Sequence, residues 1–132
     1  MGVYALKAEP AILIVEGDPL LGMEISNVLE RLRFKVIGVA STAHEALSLL
    51  EVCVPQLALI DTRLEGTIPA DELAGAFHRL GIATVFIGAE PNPTARSAEL
   101  SPSLVATISG AFCPSSVFKT ICEVISDDQE TC

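Results

Sequence analysis

Residues 12–21 read ILIVEGDPLL. An apolar run stops at Glu16, a glycine follows at position 17, and Asp18-Pro19 comes before two leucines. Such a run, short, almost wholly apolar and abruptly closed, suits a strand covered on both faces. Asp followed by Pro reads as a helix N-cap and first helical position. The carboxylate can accept from the free amides of the first turn, and proline has no amide to leave unpaired. Leu21, Ile25, Val28, Leu29 and Leu32 then fall on one helical face. The stretch is therefore a strand, a short acidic loop and a helix, and it leaves Glu16 at the mouth of a buried strand.

The same unit recurs along the chain. AILIV (11–15), QLALI (56–60) and ATVFI (83–87) are apolar runs of strand length. FKVIGVA (34–40) alternates more and fits a strand nearer an edge, and ISGAFC (108–113) is a weaker strand, loosened by Gly110. Thr42 with Glu45 three residues on has the form of a capping box, opening a helix with Ala43, Ala46, Leu47 and Leu50 on its apolar face. Leu73, Ala76, Phe77 and Leu80 mark a third helix, and Val117, Ile121, Val124 and Ile125 the last. The proline-bearing segment 90–107 leaves room only for a short helix near 94–100. Strands alternating with helices imply right-handed crossovers and a doubly wound parallel α/β sheet, whose working crevice lies beyond the carboxyl ends of the strands. One domain over 10–127 is expected, with an N-terminal extension at 1–9 and a polar tail at 128–132.

Bulk composition narrows the function. The chain has 132 residues, half of them apolar, and a net charge of −9. One domain with a sizeable core fits that length. The acidic balance argues against nucleic acid as a direct partner, which needs clustered Lys and Arg. It suits a protein that meets other proteins or a divalent cation. No apolar run approaches the ~20 residues of a membrane span. The opening residues lack the apolar core of a secretory signal, and Leu6 breaks the N-terminal acylation pattern. A reduced, cytoplasmic setting is therefore expected. Cys53, Cys113, Cys122 and Cys132 include no C-x-x-C pair, and His44 and His78 are isolated, so a zinc site is not expected.

The residues that close the strands hold the chemistry. They are Glu16, Asp61, Gly88 and Cys113. If the first and third strands are neighbours, Glu16 and Asp61 face each other. Two close carboxylates repel, which raises one pKa unless a cation intervenes. A hard ion with oxygen ligands, such as Mg²⁺, would relieve that repulsion.

Taken together, ILIVEGDPLL, VIGVASTAHEALSLL and LALIDTRLEG resemble the response regulator receiver domain of bacterial two-component signalling. The resemblance covers nearly the whole chain and is strongest over about 11–66. It implies a flavodoxin-like five-stranded sheet in the order 2-1-3-4-5 with helices on both faces. It implies a switch and not an enzyme: a sensor histidine kinase or a phosphotransfer protein passes a phosphoryl group to an aspartate, here Asp61. It implies a metal site made by Glu16, Asp61 and the backbone carbonyl of Arg63. It also implies a partner surface over about residues 91–127, which binds a downstream protein or a second copy of the chain.

The chain departs from the family's pattern at several of these positions. Gly17 stands where a second acid is expected, Gly88 where a Ser or Thr is expected, and Cys113 where a Lys is expected, with Pro114 kept. Gly110 falls at the position of the switch aromatic, with Phe112 two residues on. Each loss removes charge or coupling from phosphoryl transfer, where one such group is commonly worth about 2–4 kcal/mol. Mg²⁺ binding is therefore expected to be weak and transfer slow. Asp18 is accounted for as a helix cap and not as a replacement acid. Glu90 is a carboxylate on the loop after the fourth strand, within possible reach of the site. Cys113 fits a small buried thiol better than a redox centre. Thr62, Arg63 and Glu65 read as loop residues, and His44 and His78 as surface residues of helices. Three functions compete: a working receiver, a pseudo-receiver acting as a phosphorylation-independent interaction module, and a cofactor binder of the same topology. The last fits worst, because EGDP lacks the Gly, Ser and Thr content of a phosphate-cradling loop.

Overall fold

A computed structural model describes residues 9–88, 105–109 and 114–130, with side chains over 9–88 and 115–125. In chain order the elements are β1 (Ala11–Val15), α1 (Pro19–Arg31), β2 (Lys35–Ala40), α2 (Ala43–Leu49), β3 (Leu57–Asp61), α3 (Ala70–Arg79), β4 (Ala83–Gly88), β5 (Val105–Ser109) and α4 (Pro114–Glu130). Strands pair in parallel throughout, in the order β2-β1-β3-β4-β5. The expected α/β parallel sheet with covering helices is what forms.

Strand alternation sorts the core into two layers. Ile12, Ile14, Leu57, Leu59, Val85 and Ile87 pack toward Ile25 and Leu29 of α1 and Val117, Ile121, Val124 and Ile125 of α4. Leu13, Val15, Ala58, Ile60 and Phe86 pack on the other face, toward Ala43 and Ala46 of α2 and Leu73, Ala74 and Phe77 of α3. Successive side chains point to opposite faces, so a strand apolar at every position must be covered on both. β3 is buried along its whole length. β2, the more alternating run, is only part-buried and lies at an edge of the sheet.

Local signals set the helix starts. Asp18 Oδ1 accepts from the amides of Leu20 at 3.0 Å and Leu21 at 3.4 Å, with Pro19 at the first helical position. Thr42 Oγ1 accepts from the amide of Glu45 at 3.1 Å. The return bond of that capping box is displaced by one residue: Glu45 Oε1 accepts from the amide and hydroxyl of Ser41 at 2.7 and 2.9 Å. Those bonds hold the Glu45 carboxyl below its ordinary pKa.

Three expectations need correction. The last strand begins at Val105 and not at Ile108. Val105, Thr107 and Ile108 are β-branched and favour a strand, and Gly110 follows its end. Gly110, Phe112 and Cys113, and with them the switch and lysine positions, lie outside the described residues, as do Glu90 and the expected helix near 94–100. Leu80 does not join the core. It is the C-cap of α3 and 61% exposed, while Ala74 takes the buried position. His78 is half-buried and not a surface residue, and its Nδ1 is enclosed without a hydrogen-bond partner. His44 is exposed, as expected, and its Nε2 is 3.1 Å from Thr67 Oγ1.

Candidate functional site

Register brings the two acids together. Val15 at the end of β1 pairs with Ile60 of β3, so the next residues, Glu16 and Asp61, come level at the carboxyl edge. Both are buried, at 3% and 6% exposure. Their carboxylates border an open cleft with Gly17, Asp18, Ser41, Thr42, Arg63 and Glu65. Ser41, Thr42 and Glu65 were not marked by sequence as site residues. They arrive because the loop after β2 and the loop after β3 end at the same edge.

Hydrogen bonds fix both acids. Glu16 Oε2 accepts from the Asp18 amide at 3.1 Å, whereas Oε1 is buried with no partner. Asp61 Oδ1 accepts from the Arg63 amide at 2.9 Å, closing a short turn on itself. The Arg63 guanidinium adds an ion pair, Nε to Oδ1 at 3.6 Å, from a side chain 62% exposed. Arg63 was expected to contribute only its carbonyl. In the structure its amide and guanidinium both address the Asp61 carboxylate.

Electrostatics separate the pair. Burial pushes the Glu16 carboxyl up to about 7, opposed first by its bond from the Asp18 amide. The neighbouring Asp61 carboxyl raises it further, and the charge of Arg63 opposes. Near neutral pH the Glu16 carboxyl is therefore about half protonated.

The two altered positions within the described residues differ in space. A Cβ on Gly17 would meet only the Ser41 carbonyl oxygen, at 3.7 Å, an ordinary contact. The space beside Gly17 is thus open. Gly88 is crowded instead. A Cβ there would collide with the Thr62 hydroxyl and lie 3.7 Å from Asp61 Oδ1. Thr62, placed by sequence among ordinary loop residues, is held by its amide bond to the Ile87 carbonyl at 2.9 Å. The signal that could have found it is the pairing of a glycine at a hydroxyl position with a threonine directly after the aspartate.

The β2-β1-β3-β4-β5 sheet with two acids at its carboxyl edge is the receiver-domain architecture that the sequence resembles. Known proteins agree. The chain is 30% identical over 116 residues to the phyllosphere-induced regulator PhyR of Methylorubrum extorquens, covering 86% of this chain and 43% of that protein. It superposes on a CheY-like response regulator receiver domain protein from Methanospirillum hungatei with a TM-score of 0.82 at 23% identity, covering 95% of this chain and all of that one (100%). The anti-anti-sigma factor PhyR from Bartonella quintana gives 0.79 at 23% identity, covering 96% of this chain and 51% of that one. No family model matches the chain. At such identities the structural likeness is one of fold, and the fold is that of a response regulator receiver domain. The chain spans less than half the length of the PhyR protein it matches. No helix among the described residues is long and apolar enough to cross a membrane.

Proposed function

We propose that the chain is the receiver domain of a response regulator in two-component phosphorelay signalling, with Asp61 as the phosphoryl acceptor of a weakened site. The supporting observation is the buried pair Glu16 and Asp61, level across β1 and β3 in a cleft that opens to solvent. An Asp61 oxygen would bond to phosphorus as the P–N bond of a phosphohistidine breaks. The imidazole nitrogen would keep the electron pair and take up a proton, leaving an acyl phosphate. The protein's part is to position the carboxylate and stabilise charge. Arg63 supplies a flexible cation, and Gly17 withholds the second acid.

The donor set fits Mg²⁺ as a weak site. Glu16 Oε1 is an orphaned buried acceptor, and repulsion from Asp61 is what a cation would relieve. Glu16, Asp61 and the Arg63 carbonyl would hold it, and bound Mg²⁺ would neutralise the charge developing on the phosphoryl oxygens. A sensor histidine kinase or a phosphotransfer protein is the donor this reading requires. The naming of one structural relative as an anti-anti-sigma factor points to a protein as the downstream partner, in keeping with the net charge of −9. Contact through about 91–127, or between two copies there, is the surface we assign.

A second reading, a pseudo-receiver working without phosphate, is favoured by the proton that Glu16 keeps near neutrality and by the open place at Gly17. The test is a backbone amide spectrum titrated with Mg²⁺ and then beryllofluoride, a mimic of the phosphoryl group. Shifts at Glu16, Asp61 and Gly88 that vanish in Asp61→Ala support the acceptor. No response at millimolar Mg²⁺ and saturating mimic leaves the pseudo-receiver.

A further inference from the structure

Thr62 Oγ1 is buried and has no hydrogen-bond partner. An enclosed hydroxyl normally finds one, since leaving it unpaired costs about 1–3 kcal/mol. Its position gives the reason. The hydroxyl fills the space that a side chain at residue 88 would enter, and the same space borders Asp61 Oδ1. Gly88 accepts this arrangement because it has no Cβ to collide, and its φ of 155° is one that glycine adopts freely. The two positions therefore make one unit: residue 88 has given up its side chain, and a hydroxyl from the adjacent strand end stands in its place. The bond from the Thr62 amide to the Ile87 carbonyl fixes the backbone that carries this hydroxyl to the end of β4.

The geometry points to Thr62 as the hydroxyl that receives the phosphoryl group on Asp61, in place of the Ser or Thr that residue 88 lacks. This rests on the reading of Asp61 as acceptor. An acyl phosphate on Asp61 would bring anionic oxygens into the cleft beside β4. The Thr62 O–H, idle in the unloaded protein, then donates to one of them. A charge-assisted bond of this kind is stronger than a neutral one. It also carries the signal differently. A hydroxyl on residue 88 would draw β4 toward β3, whereas Thr62 already belongs to the β3 loop and reaches β4 only through its amide bond to Ile87. The segment following Asp61 therefore moves first.

Beryllofluoride with Mg²⁺ is titrated into the wild type, Thr62→Val, Thr62→Ser and Asp61→Ala, with amide shifts as the readout and the unloaded melting midpoint measured alongside. Valine keeps the shape and removes the hydroxyl; serine keeps the hydroxyl. The expected result is a loss of about tenfold in mimic affinity for Thr62→Val, the scale of one charge-assisted hydrogen bond, with near wild-type binding by Thr62→Ser. The unloaded midpoint of Thr62→Val is expected to hold or rise, because an unpaired buried hydroxyl has been removed. Equal affinity of Thr62→Val and wild type overturns the role of Thr62 and leaves Asp61 as acceptor. A fall in the unloaded midpoint overturns it too, since the hydroxyl would then be bonded without ligand. No binding by the wild type overturns the acceptor reading and this inference with it.

Discussion

At Glu16, burial and a neighbouring carboxylate act in the same direction. The side chain keeps its proton up to about pH 7 in the fold but loses it near 4.5 when unfolded. Between those values the folded state binds more protons, so stability falls as pH rises from about 4.5 through about 7 and is lowest above that. Glu16→Gln removes this dependence. Its unfolding free energy is expected to exceed that of the wild type at pH 8 by on the order of 1–2 kcal/mol, allowing for screening at the cleft, and the gap is expected to close by pH 5. A gap unchanged between the two pH values, read by denaturant titration, would show that Glu16 titrates normally. Gly17 is the companion case. Space is open there, so Gly17→Asp is expected to fold and to bind Mg²⁺ on the order of tenfold more tightly, because one more carboxylate joins the site. Calorimetric titration of Mg²⁺ checks this, and unchanged affinity would mean that position 17 does not face the ion.

Two helices end in the same way with different residues. In α3 the amide of Gly81 bonds the His78 carbonyl at 3.0 Å and that of Ile82 bonds the Phe77 carbonyl at 2.9 Å, with Gly81 at φ 78°. In α1 the amide of Arg33 bonds Glu30 at 3.1 Å and that of Phe34 bonds Leu29 at 3.0 Å, with Arg33 at φ 75°. Both are Schellman caps, and only the first has the glycine that the left-handed position prefers. Arg33→Gly is expected to raise stability by about 1 kcal/mol in chemical denaturation; a loss instead would mean that the Arg33 side chain makes a compensating contact. These elements also show what sequence could disclose. Asp18-Pro19 and Thr42 declared their helix starts because the capping group is local. The end of α1 gave no such sign, because tertiary docking of Phe34 into the core holds Arg33 in a conformation its own preference opposes. Leu80 misled for the same reason: helical spacing places it on the apolar face, but the chain turns at that residue. Thr62 was passed over because its significance lies in a gap at Gly88, a feature of space that no single residue carries.

For the whole molecule, the place of the site follows from topology. Parallel strands bring every carboxyl end to one edge, and the order β2-β1-β3-β4-β5 sets β1 beside β3, so residues 45 positions apart in sequence, Glu16 and Asp61, share one cleft. Strands alternating with helices predicted the parallel sheet and its carboxyl-end crevice, and the resemblance to receiver domains supplied the strand order. What they could not supply was the balance of the site: a proton kept by Glu16, a guanidinium folded onto Asp61, a threonine lodged over a glycine. The central claim is that the fold keeps a usable acceptor and has lost half of its acidic pair. Its most direct test is the intact mass of the protein after incubation with Mg²⁺ and a small acyl phosphate, for the wild type, Gly17→Asp and Asp61→Ala. A single phosphoryl adduct that builds slowly in the wild type, faster in Gly17→Asp and not at all in Asp61→Ala is the expected result. An adduct that survives Asp61→Ala, or none even in Gly17→Asp, would contradict the claim.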